Sequence, residues 1–111
     1  MGYTNYWKQK TDIPLGKWKK IKDEYNDYVL PVAGDLIKDD SEIDDITFHG
    51  SCETFCFNRK AKTEADRSYT GQDLSFNFCK TRGAKYDLAV WYLLISINKI
   101  CPEIIISRDA L

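Results

Sequence analysis

Ile46-Thr47-Phe48-His49-Gly50-Ser51-Cys52-Glu53-Thr54-Phe55-Cys56-Phe57 is the stretch that decides the fold class. Two short runs, 46–49 and 54–57, alternate in polarity with the period of half-buried strands. Gly50-Ser51 and their neighbours supply the hairpin turn between them. Ile46, Phe48, Phe55 and Phe57 fall on one face and are expected to meet the core. Thr47, His49 and Cys56 fall on the other. A hairpin with one apolar face needs a second layer to cover it.

The flanking sequence supplies that layer as helices. Pro14 opens the first, and Trp18, Ile21, Tyr25, Tyr28, Val29 and Val32 recur at three- and four-residue steps as its apolar face. Lys17, Lys19, Lys20, Lys22, Asp23, Glu24 and Asp27 form the solvated face, and Pro31 and Gly34 mark the end. A second helix is expected from Lys85 to Ile100, apolar nearly all round and therefore central. Further strands are expected over 3–7, Leu74–Cys79 and Glu103–Ser107. Gly83 would supply a positive φ in the turn before the second helix. The acidic run Asp35–Asp45, opposed by Lys38, reads as a surface loop, and 58–73 as a long polar connection suited to function. The result is an α+β domain spanning 1–111 in the order β-α-β-β-β-α-β, a small antiparallel or mixed sheet with two helices on one face.

A chain of 111 residues has room for one core. Sixteen basic residues oppose seventeen acidic ones, a balance that excludes wholesale electrostatic binding of duplex nucleic acid. The N-terminus lacks a signal-peptide layout, and the longest apolar stretch, Leu88–Ile97, is about half a membrane span. A cytoplasmic protein with no membrane contact is expected. Cys52, Cys56, Cys79 and Cys101 read as reduced, mostly buried thiols. Two disulfides, or a zinc site using His49 and Cys52, are the alternatives.

Gly2-Tyr3-Thr4-Asn5-Tyr6-Trp7, Phe48-His49-Gly50, Glu53-Thr54-Phe55, and Phe78-Cys79-Lys80-Thr81 followed by Tyr86-Asp87 occur together along almost the whole chain. In these residues the sequence resembles a family of small uncharacterised bacteriophage and bacterial proteins that begin GYTxYW and carry an FCKT…YD motif. It departs from that pattern at Gly83-Ala84, where a more basic, proline-containing turn is usual. The resemblance implies a phage origin, and with it the host cytoplasm, but no activity.

Lys80-Thr81-Arg82-Gly83-Ala84-Lys85-Tyr86-Asp87 lies between a strand end and a helix start, where backbone N–H groups and the helix dipole attract anions. Lys80, Arg82 and Lys85 add charge, Thr81 a hydroxyl and Tyr86 a face for a base, with Asp87 in the first helical turn. Asn58, Arg59, Arg67, Tyr69 and His49 complete the expected ligand-binding set. Residues 58–87 hold seven basic side chains against four acidic ones, a local surplus suited to an anionic ligand. His49 with Cys52 or Cys79 lacks a catalytic signature, and no metal or cofactor is implied.

The function expected is a non-catalytic binding protein that sequesters a small anionic nucleotide signal of host antiviral defence, as a homo-oligomer. One alternative is an inhibitor of a host defence protein, docking through Asp39, Asp40, Asp44 and Asp45. Another is a small nucleotide hydrolase dependent on His49.

Overall fold

In the computed structural model, residues 4–32, 37–38, 44–49, 54–62, 75–82 and 86–109 are described. Strand β1 (Thr4–Lys8) leads to helix α1 (Leu15–Glu24), a π-helical turn (Tyr25–Val29) and a short α2 (Leu30–Val32). Strands β2 (Ile37–Lys38), β3 (Asp45–His49), β4 (Phe55–Asn58) and β5 (Phe76–Lys80) follow, then α3 (Tyr86–Ile100) and β6 (Ile105–Arg108). The α+β class is that expected. The single sheet is instead two antiparallel three-stranded sheets, ordered β5-β1-β6 and β2-β3-β4.

The hairpin has the expected register, with Ile46 opposite Phe57 and Phe48 opposite Phe55. All four side chains are fully buried. The additional strand β2 lies inside the acidic run that reads as a surface loop. Ile37 pairs with His49 and Lys38 with Phe48, so backbone hydrogen bonds occupy an edge of β3 that would otherwise be bare.

Rings join the layers. Trp7 of β1 stands 5.3 Å from Phe55 and 5.7 Å from Phe57, which places the inner face of one sheet against the inner face of the other. Trp18 of α1 stacks on Phe57 at 6.2 Å, and Tyr25 on Phe48 at 5.9 Å. Helix α3 packs on α1, β1 and β6 and contributes Ala89, Val90, Leu93, Leu94 and Ile97 to the same core.

Three expectations change on contact with the fold. Tyr28 is exposed, although Tyr25 and Val29 beside it are buried. An i→i+5 turn rotates each residue through a smaller angle than an α-turn, so it keeps Val29 beneath Tyr25 and carries Tyr28 outward. Pro31, with no N–H to return to the preceding turn, favours that widening. Helix α3 is not covered all round: Leu88 is 70% exposed, Tyr92 42% and Ile95 45%, one stripe at four- and three-residue steps. The strand near the chain end begins at Ile105 rather than Glu103, after a turn that follows Cys101.

Strand β5 has the least expected orientation. Its aromatic side chains, Phe76 and Phe78, point away from the core, while Asn77 and Cys79 point toward it. Cys79 and Cys101 are buried thiols and Cys56 an exposed one, each outside any disulfide; Cys52 lies outside the described residues. Among the described residues no helix is long and apolar enough to cross a membrane.

These orientations separate two phenylalanines that look alike in sequence. Phe48→Ala should cost about 3–5 kcal/mol, as a fully buried ring does. Phe78→Ala should cost under about 1 kcal/mol. Urea denaturation of both variants measures this, and equal losses would place Phe78 in the core.

Candidate functional site

The turn from β5 to α3 brings together residues that are far apart in sequence. Asp87, in the first turn of α3 and 6% exposed, accepts from Asn5 Nδ2 at 2.9 Å and from Thr81 Oγ1 at 2.5 Å. Its second oxygen accepts from the Arg108 guanidinium. That guanidinium also lies over the Trp91 ring, 5.0 Å from its centre. Asp87 thus ties β1, the end of β5 and β6 to the helix. Burial works against the charged form of Asp87, but hydrogen bonds from Thr81, Asn5 and Arg108, with the charge of Arg108, outweigh it. The carboxyl is held below its ordinary range.

This arrangement changes what the turn can do. The positive end of α3 already has its anion, the Asp87 carboxylate. Thr81 is fully buried and commits its hydroxyl to that carboxylate. Tyr86 is 1% exposed and donates its hydroxyl to the Lys80 carbonyl at 3.3 Å, so it offers no open face to a base. Lys80 and Arg82 are exposed; Lys85 lies outside the described residues, as do Arg67 and Tyr69. Gly83, expected to supply the positive φ, also lies outside the described residues, while Arg82 beside it has a positive φ of 55°. A left-handed backbone at a non-glycine residue costs about 1–2 kcal/mol.

The remaining expected residues sit elsewhere. Arg59 donates to Asp44 Oδ1 at 2.7 Å and to the Ile13 carbonyl at 3.0 Å, while its own carbonyl accepts from Gln9 and Ile13. Its hydrogen bond, and then its charge, hold the Asp44 carboxyl below the ordinary range. Arg59 is a clamp between segments. Asn58 caps the same turn by accepting from the Lys60 N–H at 2.9 Å. Gln9 follows Lys8, whereas Thr4 pairs with Lys80, so these groups lie at opposite ends of β1, about 13 Å apart. His49, half-buried, sits with Nδ1 2.8 Å from Thr54 Oγ1, at the end of β3 opposite to Asp45 and Asn58. Among the described residues no cluster of three metal-ligating side chains forms.

What the sequence reading missed is the outer face of the β5-β1-β6 sheet. Registers of Tyr6 with Phe78 and Ser107, and of Lys8 with Phe76 and Ile105, put these six side chains on one side. Phe76 is 36% exposed, Phe78 50% and Ile105 61%. The rings form a row, with Tyr6 5.6 Å from Phe76 and Phe76 6.1 Å from Phe78. Tyr6 donates its phenol to Asp109 at 2.7 Å, which, ahead of desolvation, pushes the phenol up from its ordinary value. Lys80 continues the row two residues after Phe78. The signal was the F-x-F-x-K spacing over 76–80, a strand face ending in a cation.

A second surface feature is a shallow groove of about 270 Å³ beside the π-helical turn, lined by Lys20, Asp23, Glu24, Asp27, Tyr28 and Ile100. No family model, curated protein or solved structure matches this chain.

The Asp87 network has a signed pH dependence. A carboxyl depressed on folding adds stability above its unfolded value, about 3.9, and loses it as pH falls through the folded value. Asp87→Asn should therefore cost about 3 kcal/mol at pH 7, since it removes the carboxylate that Arg108 meets in the seam. That difference should shrink as pH drops below about 4. Urea denaturation from neutral to acid pH is the measurement. A difference that stays constant across the range would remove Asp87 from the charged network.

Proposed function

We propose that this chain is a non-catalytic binding protein that sequesters a small anionic nucleotide signal of host antiviral defence. The observation that supports this reading most is the row Phe76, Phe78, Lys80 on the exposed side of β5, with Tyr6 beside it and Arg82 just beyond. Rings offer π-faces to a base, and the cations at the end of the row meet a phosphate. The turn first expected to hold the phosphate contributes its exposed cations, while Thr81, Tyr86 and Asp87 hold the fold. Phage origin and host cytoplasm follow from the resemblance in 2–7, 48–55 and 78–87. A homo-oligomer fits the exposed stripe Leu88, Tyr92 and Ile95, which a second subunit could cover.

The inhibitor of a host defence protein is the second reading, and the acidic groove at Asp23, Glu24 and Asp27 favours it. Such a groove would meet a basic surface. Of the acidic residues first expected to dock, Asp44 is engaged by Arg59, and Asp39 and Asp40 lie outside the described residues.

A thermal-shift screen against cyclic di- and trinucleotides, ADP-ribose derivatives and mononucleotides tests the first reading. A ligand should raise the melting temperature and return chemically intact by mass spectrometry. Lys80→Ala and Arg82→Ala should each reduce that shift. A ligand returned altered would make the protein an enzyme, and silence across the panel would favour the protein partner. Arg82→Gly separates fold from function: relief of the left-handed φ should raise stability by about 1 kcal/mol while the ligand shift falls. A glycine variant that binds as well as the parent would remove Arg82 from the site.

A further inference from the structure

We infer that the outer face of the β5-β1-β6 sheet takes an unpaired strand of nucleic acid, reading base faces and phosphates without base identity; this inference rests on the nucleotide-binding reading above. A ligand class follows from the geometry of the face. Lys80 stands at one end, opposite Thr4, and Lys8 at the other, four residues along β1. Four strand residues span about 13 Å. The exposed rings of Phe76 and Phe78 and the ring of Tyr6 lie between these cations. A single nucleotide covering one ring cannot place its phosphate at both lysines. A strand with several bases and phosphates meets rings and cations together.

Openness argues the same way. Phe76, Phe78, Lys8 and Lys80 are exposed together along a sheet face rather than at one point of it. On an open face, affinity accumulates from repeated stacking and phosphate contacts along a chain. Duplex is disfavoured because its bases turn their π-faces to one another and not to protein rings.

Charge separates this ligand from a second copy of the protein. If the face paired with itself about a two-fold axis centred on the rings, parallel strands would bring Lys8 to Lys8. Antiparallel strands would bring Lys8 beside Lys80. Among the described residues, the Asp109 carboxylate at the corner of the face accepts from Tyr6. A polyanion meets every one of these cations favourably.

The test is fluorescence anisotropy with labelled oligothymidylate and oligouridylate of about a dozen nucleotides, long enough for one site of this kind. A duplex of equal length and a cyclic dinucleotide serve as comparison ligands. Both single strands should bind, and the duplex at least about ten-fold more weakly. Phe76→Ala and Phe78→Ala should each weaken binding by about 5- to 150-fold, the range for loss of one stacked base. Phe78→Tyr should retain it. Lys8→Ala and Lys80→Ala should each flatten the salt dependence by about 0.7 in log–log slope. Leu15→Ala, exposed at the start of α1, should bind as the parent does, and circular dichroism should show every variant folded.

Duplex binding as tight as single-strand binding would overturn the inference, as would alanine variants of both phenylalanines that bind normally. Lys80-dependent binding of the cyclic dinucleotide without binding of either strand would overturn this inference and leave the nucleotide reading standing. Failure of every nucleotide, with a dimer that Phe78→Ala dissociates, would overturn both and assign the face to a second copy.

Discussion

The packing of Trp7 between Phe55 and Phe57 is the contact on which the rest depends. Each sheet has three short strands with one apolar face, and that face must be covered by another layer. Trp7 is the residue through which β1 reaches the hairpin of the other sheet. The rings beyond it, Phe48, Tyr25 and Trp18, carry the same contact into the helical segment. Aromatic pairs contribute about 0.5–1.5 kcal/mol each beyond the area they bury. Three consequences follow for the β5-β1-β6 sheet. Its inner face is fixed by Trp7, its outer parity is thereby given to Tyr6 and Lys8, and Phe76 and Phe78 must stand beside them.

Once Trp7 points inward, its neighbour two residues before, Asn5, must do so as well, because strand side chains alternate. A buried amide needs partners, and Asp87 provides one. Asp87 in turn needs counter-charge and donors, which Arg108 and Thr81 supply. The polar seam between α3 and its sheet therefore follows from the aromatic contact. Thr81 and Asp87 act inside the fold, and their pairing needs no ligand to explain it.

The hairpin was legible because both of its strands place phenylalanine on one parity and polar or small residues on the other. Nothing competes with that pattern. Strand β5 was legible as a strand but its facing was not, because the same rule applied to Phe76, Asn77, Phe78 and Cys79 points the rings inward. The fold reverses it, since Cys79 and Asn77 share their side with Asn5 and Trp7. Helix α3 shows the complementary limit: a pattern states that Leu88, Tyr92 and Ile95 are apolar but not what covers them. The clamp at Arg59 was invisible for another reason. Its partners, Asp44 and Ile13, are distant in sequence, and a basic residue in a polar stretch reads as surface. Of the candidate site, the exposed cations Lys80 and Arg82 were legible. The buried side chains that position them were not.

Places where local preference and final structure disagree carry the most information about function, because a chain under selection for stability alone removes them. Two such places adjoin here. Phe78 leaves half its ring in water, forgoing part of the roughly 1.5–3 kcal/mol that full burial contributes. Four residues later Arg82 holds a left-handed backbone that glycine would adopt without strain. The Asp87 seam constrains the end of β5 strongly enough to hold both. Thr81, locked onto Asp87, separates the exposed Lys80 from the strained Arg82 and fixes where each can point. The rigid interior and the costly exterior are thus one arrangement: a buried polar lock presenting rings and cations together on the outside.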